Sequence, residues 1–246
     1  MLAIIGGSGL TQLANLDITR REIVRTPYGE PSGPLTFGSL GGQPVVFLAR
    51  HGHGHTIPPH MVNYRANIWA IKNAAEADRV ISVASVGAIR NDLPPGSLIV
   101  PHQIIDYTSG RVSTFHEGHD RRVVHIDFTE PYDGPLRTGI IDAFHDTGET
   151  VVNGAVYATT QGPRLETAAE VNRLERDGAD IIGMTGMPEA ALAREAEIAY
   201  AAICVSVNWA AGRGDSERGI QFANIEEVQR SALARVRRVL EHYATK

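Results

Sequence analysis

The sequence predicts an α/β fold: one domain over residues 1–246, built on a mixed, largely buried central β-sheet flanked by helices. Two observations carry that expectation. Apolar strand-like runs alternate with helical segments through the second half of the chain, the pattern of a sheet packed under helices. Polar signatures also recur just past the predicted strand ends, at Ser8, Arg50-His51, Ser85, Thr185 and Asn208, where open α/β sheets place ligands. A length of 246 residues with 43% hydrophobic content supports a full core in a single domain.

In chain order, Leu2–Ile5 reads as a buried strand running into the tight turn Gly6-Gly7-Ser8-Gly9. Pro44–Ala49 is a second strand, ending at Arg50-His51-Gly52. The stretch 63–75 has helical character, with Ile68, Ile71 and Ala75 on one face. β-Branched residues mark 79–86 as a strand, and 96–105 reads as another. A helix over 135–144 is followed by a strand over 151–160 and the turn Gln161-Gly162-Pro163. Thr167 opens a helix to Arg176, and 179–184 is a strand. Pro188 sits in the first turn of a helix to Ala196. The long apolar run 198–207 is a strand. An amphipathic helix closes the chain over 224–243, with Asn224 as its expected N-cap. The Pro/Gly-rich piece 26–34 reads as a loop.

The formal net charge of −5 argues against a nucleic-acid footprint, which needs clustered Lys and Arg. The one cysteine, Cys204, lies in an apolar run and reads as a reduced, buried thiol. The apolar run after Met1 is short and lacks the basic flank of a signal peptide. No segment approaches the ~20 apolar residues of a membrane helix. The expectation is a soluble, cytoplasmic protein.

Several motifs carry chemistry, each with an ordinary structural alternative. Gly6-Gly7-Ser8-Gly9 can cradle an anion with backbone N–H groups and a hydroxyl, or can be a plain tight turn. Arg50, His51, His53 and His55 form the densest polar cluster. A guanidinium beside an imidazole suits phosphate, and alternate histidines suit a metal equally by spacing alone. Glu166 can serve simply as a capping-box acid at a helix start. Met184 in the 183–189 turn reads as core more readily than as a ligand contact. Asn208, at a strand end, can be a turn residue. Against these stands one combination. A carboxylate at 166 and an amide at 208 match the edge of a 6-oxopurine, one accepting from a ring N–H and the other donating to O6 and N7. Ala210 could accept nothing from a 6-amino group.

The motifs fall into a known order. Ile4 to Leu10, Leu48 to Gly52, His55 to Pro58, Val62 to Ala70, Gln161 to Arg164, and Met184-Thr185 through Pro188-Glu189 together resemble the purine nucleoside phosphorylase family. The branch they resemble is that of trimeric methylthioadenosine phosphorylases. The resemblance implies phosphorolysis, with inorganic phosphate as co-substrate and no metal or organic cofactor. It implies that Ser8, Arg50, His51 and Thr185 bind phosphate. Ser85 would supply a hydroxyl next to Ala84, which stands where the family has a threonine. Met184 would lie under the ribose, Leu165 would pack on the base, and Asn208 would be the catalytic donor at N7. His125 would come from the neighbouring subunit of a homotrimer.

Three departures set the expected substrate. Asn208 and Ala210 replace two aspartates of the adenine-specific branch, and Glu166 matches the glutamate of 6-oxopurine phosphorylases. Ile225 and Val228 align with the aliphatic residues that hold a methylthio group. An apolar pocket favours a thioether over an unpartnered hydroxyl. The resemblance therefore implies 5′-methylthioinosine, cleaved to hypoxanthine and 5-methylthioribose 1-phosphate. 5′-Methylthioadenosine or a general 6-oxopurine nucleoside stands as the alternative, and a metal-dependent nucleoside hydrolase as a distant one.

Overall fold

The computed structural model describes residues 1–118 and 122–246. Among the described residues, eleven strands join in one sheet: β1 (Leu2–Gly6), β2 (Asp17–Glu22), β3 (Leu35–Leu40), β4 (Gln43–Ala49), β5 (Arg79–Ala88), β6 (Leu98–Val100), β7 (Gln103–Asp106), β8 (Val152–Asn153), β9 (Val156–Thr159), β10 (Ile181–Gly183) and β11 (Ala199–Trp209). The helices are α1 (Tyr64–Asn73), α2 (Gly134–Asp146), α3 (Ala168–Arg176), α4 (Gly186–Glu195) and α5 (Phe222–Thr245).

Strand β5 organises the sheet. β11 runs parallel to it along its whole length, while the opposite edge pairs first with β1, parallel, and then with β10, antiparallel. β4 is parallel to β1. The carboxyl ends of β1, β4, β5 and β11 therefore open at one end of the sheet, and β10 meets β5 there at Gly87 and Ala88. Helices α2 and α5 cover one face, whose core holds Ile4, Phe47, Ile81 and Ile203 of the sheet with Val236 of α5. Helices α1 and α4 cover the other, whose core holds Ile5 and Leu48 of the sheet with Ile68 and Ile71 of α1 and Leu192 of α4. Strands buried on both faces read as continuous apolar runs, which is why β1, β5 and β11 were legible.

Three expectations need correction, and one pair of strands was not expected. The run 96–105 is two strands, β6 and β7, broken at Pro101, which has no N–H for a ladder. The run 151–160 likewise splits into β8 and β9 at Gly154, whose φ of 105° only glycine adopts readily. Both breaks lead from one arm of the sheet, β6–β8, to the other, β7–β9. Helix α5 starts earlier than expected, with Gln221 at its N-cap position and no side-chain cap bond, and Asn224 lies inside it. The edge pair β2–β3 gave no clear sequence signal. β2, Asp-Ile-Thr-Arg-Arg-Glu, is a solvated, charged edge strand rather than an apolar run.

Candidate active site

A cavity of about 680 Å³ opens at the carboxyl ends of β1, β4, β5 and β11, within the ~300–1,000 Å³ of small-molecule sites. Ser8, Arg50, His51, Ser85, Leu165, Glu166, Met184, Thr185, Asn208, Ala210 and Ile225 all line it. Val228 does not; Gln229, one residue on, takes a place in the wall. His125 is exposed and lies outside its own chain's cavity.

At one end, Arg50 is fully buried, and its guanidinium is held on nearly every side. Nε donates to Glu189 Oε2 at 2.6 Å, and Nη2 to Glu189 Oε1 at 2.9 Å and Ser82 Oγ at 2.6 Å. Nη1 donates to the Val83 carbonyl at 3.1 Å. Of the five N–H donors of an arginine, one on Nη1 remains. Glu189 is equally buried and also accepts from Ser82 Oγ and the Tyr200 hydroxyl, each at 2.8 Å. Burial alone would lower the Arg50 pKa, but the charge and hydrogen bonds of Glu189 outweigh it and raise the pKa above its ordinary value. A Cβ on Gly7 would stand 2.6 Å from the Val83 carbonyl oxygen and 2.9 Å from Arg50 Nη1, so glycine lets the first turn close over the arginine.

His51 donates from Nδ1 to the Ile57 carbonyl at 2.8 Å, since a carbonyl can only accept. Burial first, and then the charge of Arg50, lower its pKa from the ordinary 6.5 to about 4. The ring is therefore neutral at pH 7, with an unprotonated Nε2. Residues 51–55 form turns rather than a strand, so the histidines do not alternate on one face. His55 meets Ser8 Oγ at 2.9 Å, and His53 is exposed outside the cavity wall. Among the described residues, no group of three or more His, Cys, Asp or Glu side chains gathers around a common point. Thr185 caps α4 without spending its hydroxyl on the helix.

At the other end stand Glu166, Asn208 and Ala210. The capping box of α3 is formed by Thr167 and Glu170, so Glu166 is not used as a cap. Its Oε1 accepts from the Thr160 hydroxyl at 2.6 Å, which orients the carboxylate and leaves Oε2 for another donor. A β-bulge at Val207 shifts the β11–β5 register between Ser206 and Asn208. Bulges re-aim side chains: Ser206 is buried against the Leu93 carbonyl, whereas Val207, Asn208 and Ala210 all reach the cavity. The Asn208 amide donates once, to the Trp209 carbonyl at 2.6 Å, so one N–H remains rather than the two the sequence suggested. Ile220, Phe222 and Ile225 close this side from α5 and the turn before it. Met184 is a wall residue, not core.

Sequence reasoning missed three residues. Glu189 entered only as part of a motif, because its partner is 139 residues away. Gln229 is displaced by one position from the expected aliphatic residue. Arg111, in a stretch without periodicity, draws two wall loops together: Nη1 donates to the carbonyls of Met184 (2.8 Å) and Met187 (2.6 Å), and Nη2 to that of Gln161 (2.8 Å).

The chain belongs to the phosphorylase superfamily, whose family model matches residues 1–245. It is 51% identical over 238 residues to a protein of Pseudomonas syringae pv. tomato named as a probable S-methyl-5′-thioinosine phosphorylase, covering 97% of this chain and 96% of the relative. It is 44% identical over 216 residues to the 6-oxopurine nucleoside phosphorylase of Pyrococcus furiosus, covering 86% and 80%. The methylthioadenosine phosphorylase of Schistosoma mansoni in complex with adenine superposes with a TM-score of 0.94 at 31% identity, covering 99% of this chain and 90% of that one.

Two predictions follow from the buried charges. Glu189→Gln leaves Arg50 without a counter-ion and should cost about 3–5 kcal/mol of stability in urea unfolding, partly restored by phosphate; an unchanged midpoint would contradict the pairing. The His51 pKa is depressed on folding, so its contribution to stability is fully present above pH 6.5 and is lost as the pH falls toward about 4. Ring NMR without phosphate should show His51 neutral down to that range, and a midpoint near 6.5 would refute it.

Proposed function

We propose that this chain catalyses phosphorolysis of 5′-methylthioinosine, giving hypoxanthine and 5-methylthioribose 1-phosphate. The observation that carries the reading is Glu166 with a free, Thr160-oriented carboxylate oxygen, facing the same cavity as Asn208 and Ala210. A 6-oxopurine has an N–H at position 1 to offer that oxygen. Adenine has a lone pair there, and the carboxylate would be left unpaired. Losing a hydrogen bond to a charged group costs roughly 1.5–3 kcal/mol, so this contact disfavours adenine by ~10–100-fold. Ile220, Phe222 and Ile225 give the sugar's 5′ end an apolar setting that suits a thioether. The name of the Pseudomonas relative agrees.

The chemistry uses this chain's own groups. Phosphate lies among Ser8, His51, Ser85, Thr185 and the remaining Nη1 hydrogen of Arg50. Neutral His51 accepts the proton of HPO₄²⁻ at Nε2, which aims an unprotonated phosphate oxygen at C1′. As the bond from C1′ to N9 breaks, positive charge grows on the sugar and negative charge on the purine. The dianion stabilises the first, and the free N–H of Asn208 stabilises the second at N7. The new bond joins phosphate oxygen to C1′, the broken bond leaves its pair on the base, and the proton balance is met when the purine takes up the proton the phosphate gives up. Met184 packs under the ribose and Leu165 on the base.

One observation favours a second reading, a 6-oxopurine nucleoside with a 5′-hydroxyl. Gln229 of α5, rather than Val228, lines the cavity, and its side-chain oxygen is an acceptor a 5′-hydroxyl can use; the Pyrococcus relative carries that name. Assays of methylthioinosine, methylthioadenosine and inosine with saturating phosphate decide between them. Methylthioinosine should show the highest kcat/KM, with the adenine nucleoside lower by about 10–100-fold, and Glu166→Gln should narrow that gap. Preference for methylthioadenosine would refute the base assignment, and preference for inosine the 5′ assignment.

We further propose a homotrimer in which His125 of one subunit completes the site of the next. Supporting it, His125 is exposed beside Val123 and Val124, which are 79% and 44% exposed, and such apolar surface suits a contact between copies. Sedimentation should give a particle of three chains that His125→Ala leaves assembled but with weaker nucleoside binding; a monomer with full activity would overturn this.

A further inference from the structure

Gln229 sits one turn along α5 from Ile225, yet its amide reaches across to the glycine turn. Nε2 donates to the Ser8 carbonyl at 2.9 Å and to Ser85 Oγ at 2.8 Å, which uses both of its hydrogens. The contact is close by construction: Gly9 has φ +74°, and a Cβ there would stand 2.5 Å from the Gln229 amide carbon. A serine hydroxyl has one proton and two lone pairs. Gln229 fills a lone pair on Ser85, so the Ser85 proton must go elsewhere. Among the described residues its one protein acceptor, the Ser8 carbonyl, is 3.5 Å away and already takes the shorter bond from Gln229. The neighbour Ala84 offers only a methyl group to the cavity, and the Ser82 hydroxyl is spent on Glu189.

We propose that Gln229 is a positioning residue for phosphate: it fixes the Ser85 hydroxyl as a donor into the anion cradle and pins the Ser8 peptide beside it. The assignment rests on reading Ser8, Arg50, His51 and Thr185 as the phosphate site. It couples two ends of the cavity, because the helix that supplies the apolar wall through Ile225 also sets the donor at the anion end. Replacing Gln229 by an aliphatic residue would keep the wall apolar but free the serine proton to turn back to the Ser8 carbonyl.

The test is a split of Michaelis constants in a double-mutant cycle. Gln229→Met keeps the length and shape of the side chain, carries no charge and cannot donate. It should raise the KM for phosphate about tenfold, the scale of one hydrogen bond to a charged group, with the nucleoside KM changed less than about twofold on the same scale. Ser85→Ala should do the same, and the double variant should be no worse than Ser85→Ala, because one residue acts through the other. Thermal unfolding run alongside reads folding separately. Wild-type cleavage that ignores phosphate would sink the underlying reading of the site. A phosphate-dependent wild type whose Gln229→Met variant keeps its phosphate KM, shifts only the nucleoside KM, or combines multiplicatively with Ser85→Ala would overturn the role of Gln229 alone.

Discussion

Arg50 and Glu189 meet in the interior with neither side chain exposed, one placed by the end of β4 and the other by the first turn of α4. Each ion would be strongly destabilising there without the other, since the cost of dehydrating a charge is repaid only by tight pairing and a complete set of hydrogen bonds. Ser82 of β5 and Tyr200 of β11 complete that set. Four elements are thus locked in one relative position at the end of the sheet where the cavity opens. The glycine turn after β1 closes over the same guanidinium, which fixes its place beside Arg50.

The two ends of the cavity obey opposite rules. At the Arg50 end, polar groups are held by the protein and little is left over: four of the five Arg50 N–H donors are spent, and the Ser8 hydroxyl already meets His55. At the opposite end, the protein leaves Glu166 and Asn208 partly unsatisfied, each with one contact to its own chain and one group to spare. Such groups discriminate well, because a ligand that fails to match them leaves a polar atom unpaired. Between the two ends, the Arg111 guanidinium ties the loops bearing Met184 and Gln161 together through their backbone carbonyls.

Local signals were legible in the sequence and long-range pairings were not. Apolar runs gave β1, β5 and β11 because those strands are buried on both faces, and strand-end polar residues gave the cavity wall. The exposed edge strand β2 lacks any such run. Glu166 was ambiguous until Glu170 was seen to cap α3. Asn208 was expected in the wall, but the bulge at Val207 that puts it there leaves no mark in residue types. The Glu189 partner of Arg50 is invisible to spacing, and Gln229 was missed because one residue of register on a helix decides which side chain reaches the wall.

Purine recognition is the part of this account with the most consequences, and it can be seen directly. A crystal structure with hypoxanthine and inorganic phosphate bound should show the Glu166 carboxylate within hydrogen-bonding distance of the ring N1–H, the Asn208 amide on the O6/N7 side, and phosphate held by Ser8, His51 and Thr185. A base bound with that edge turned away from both Glu166 and Asn208 would contradict it.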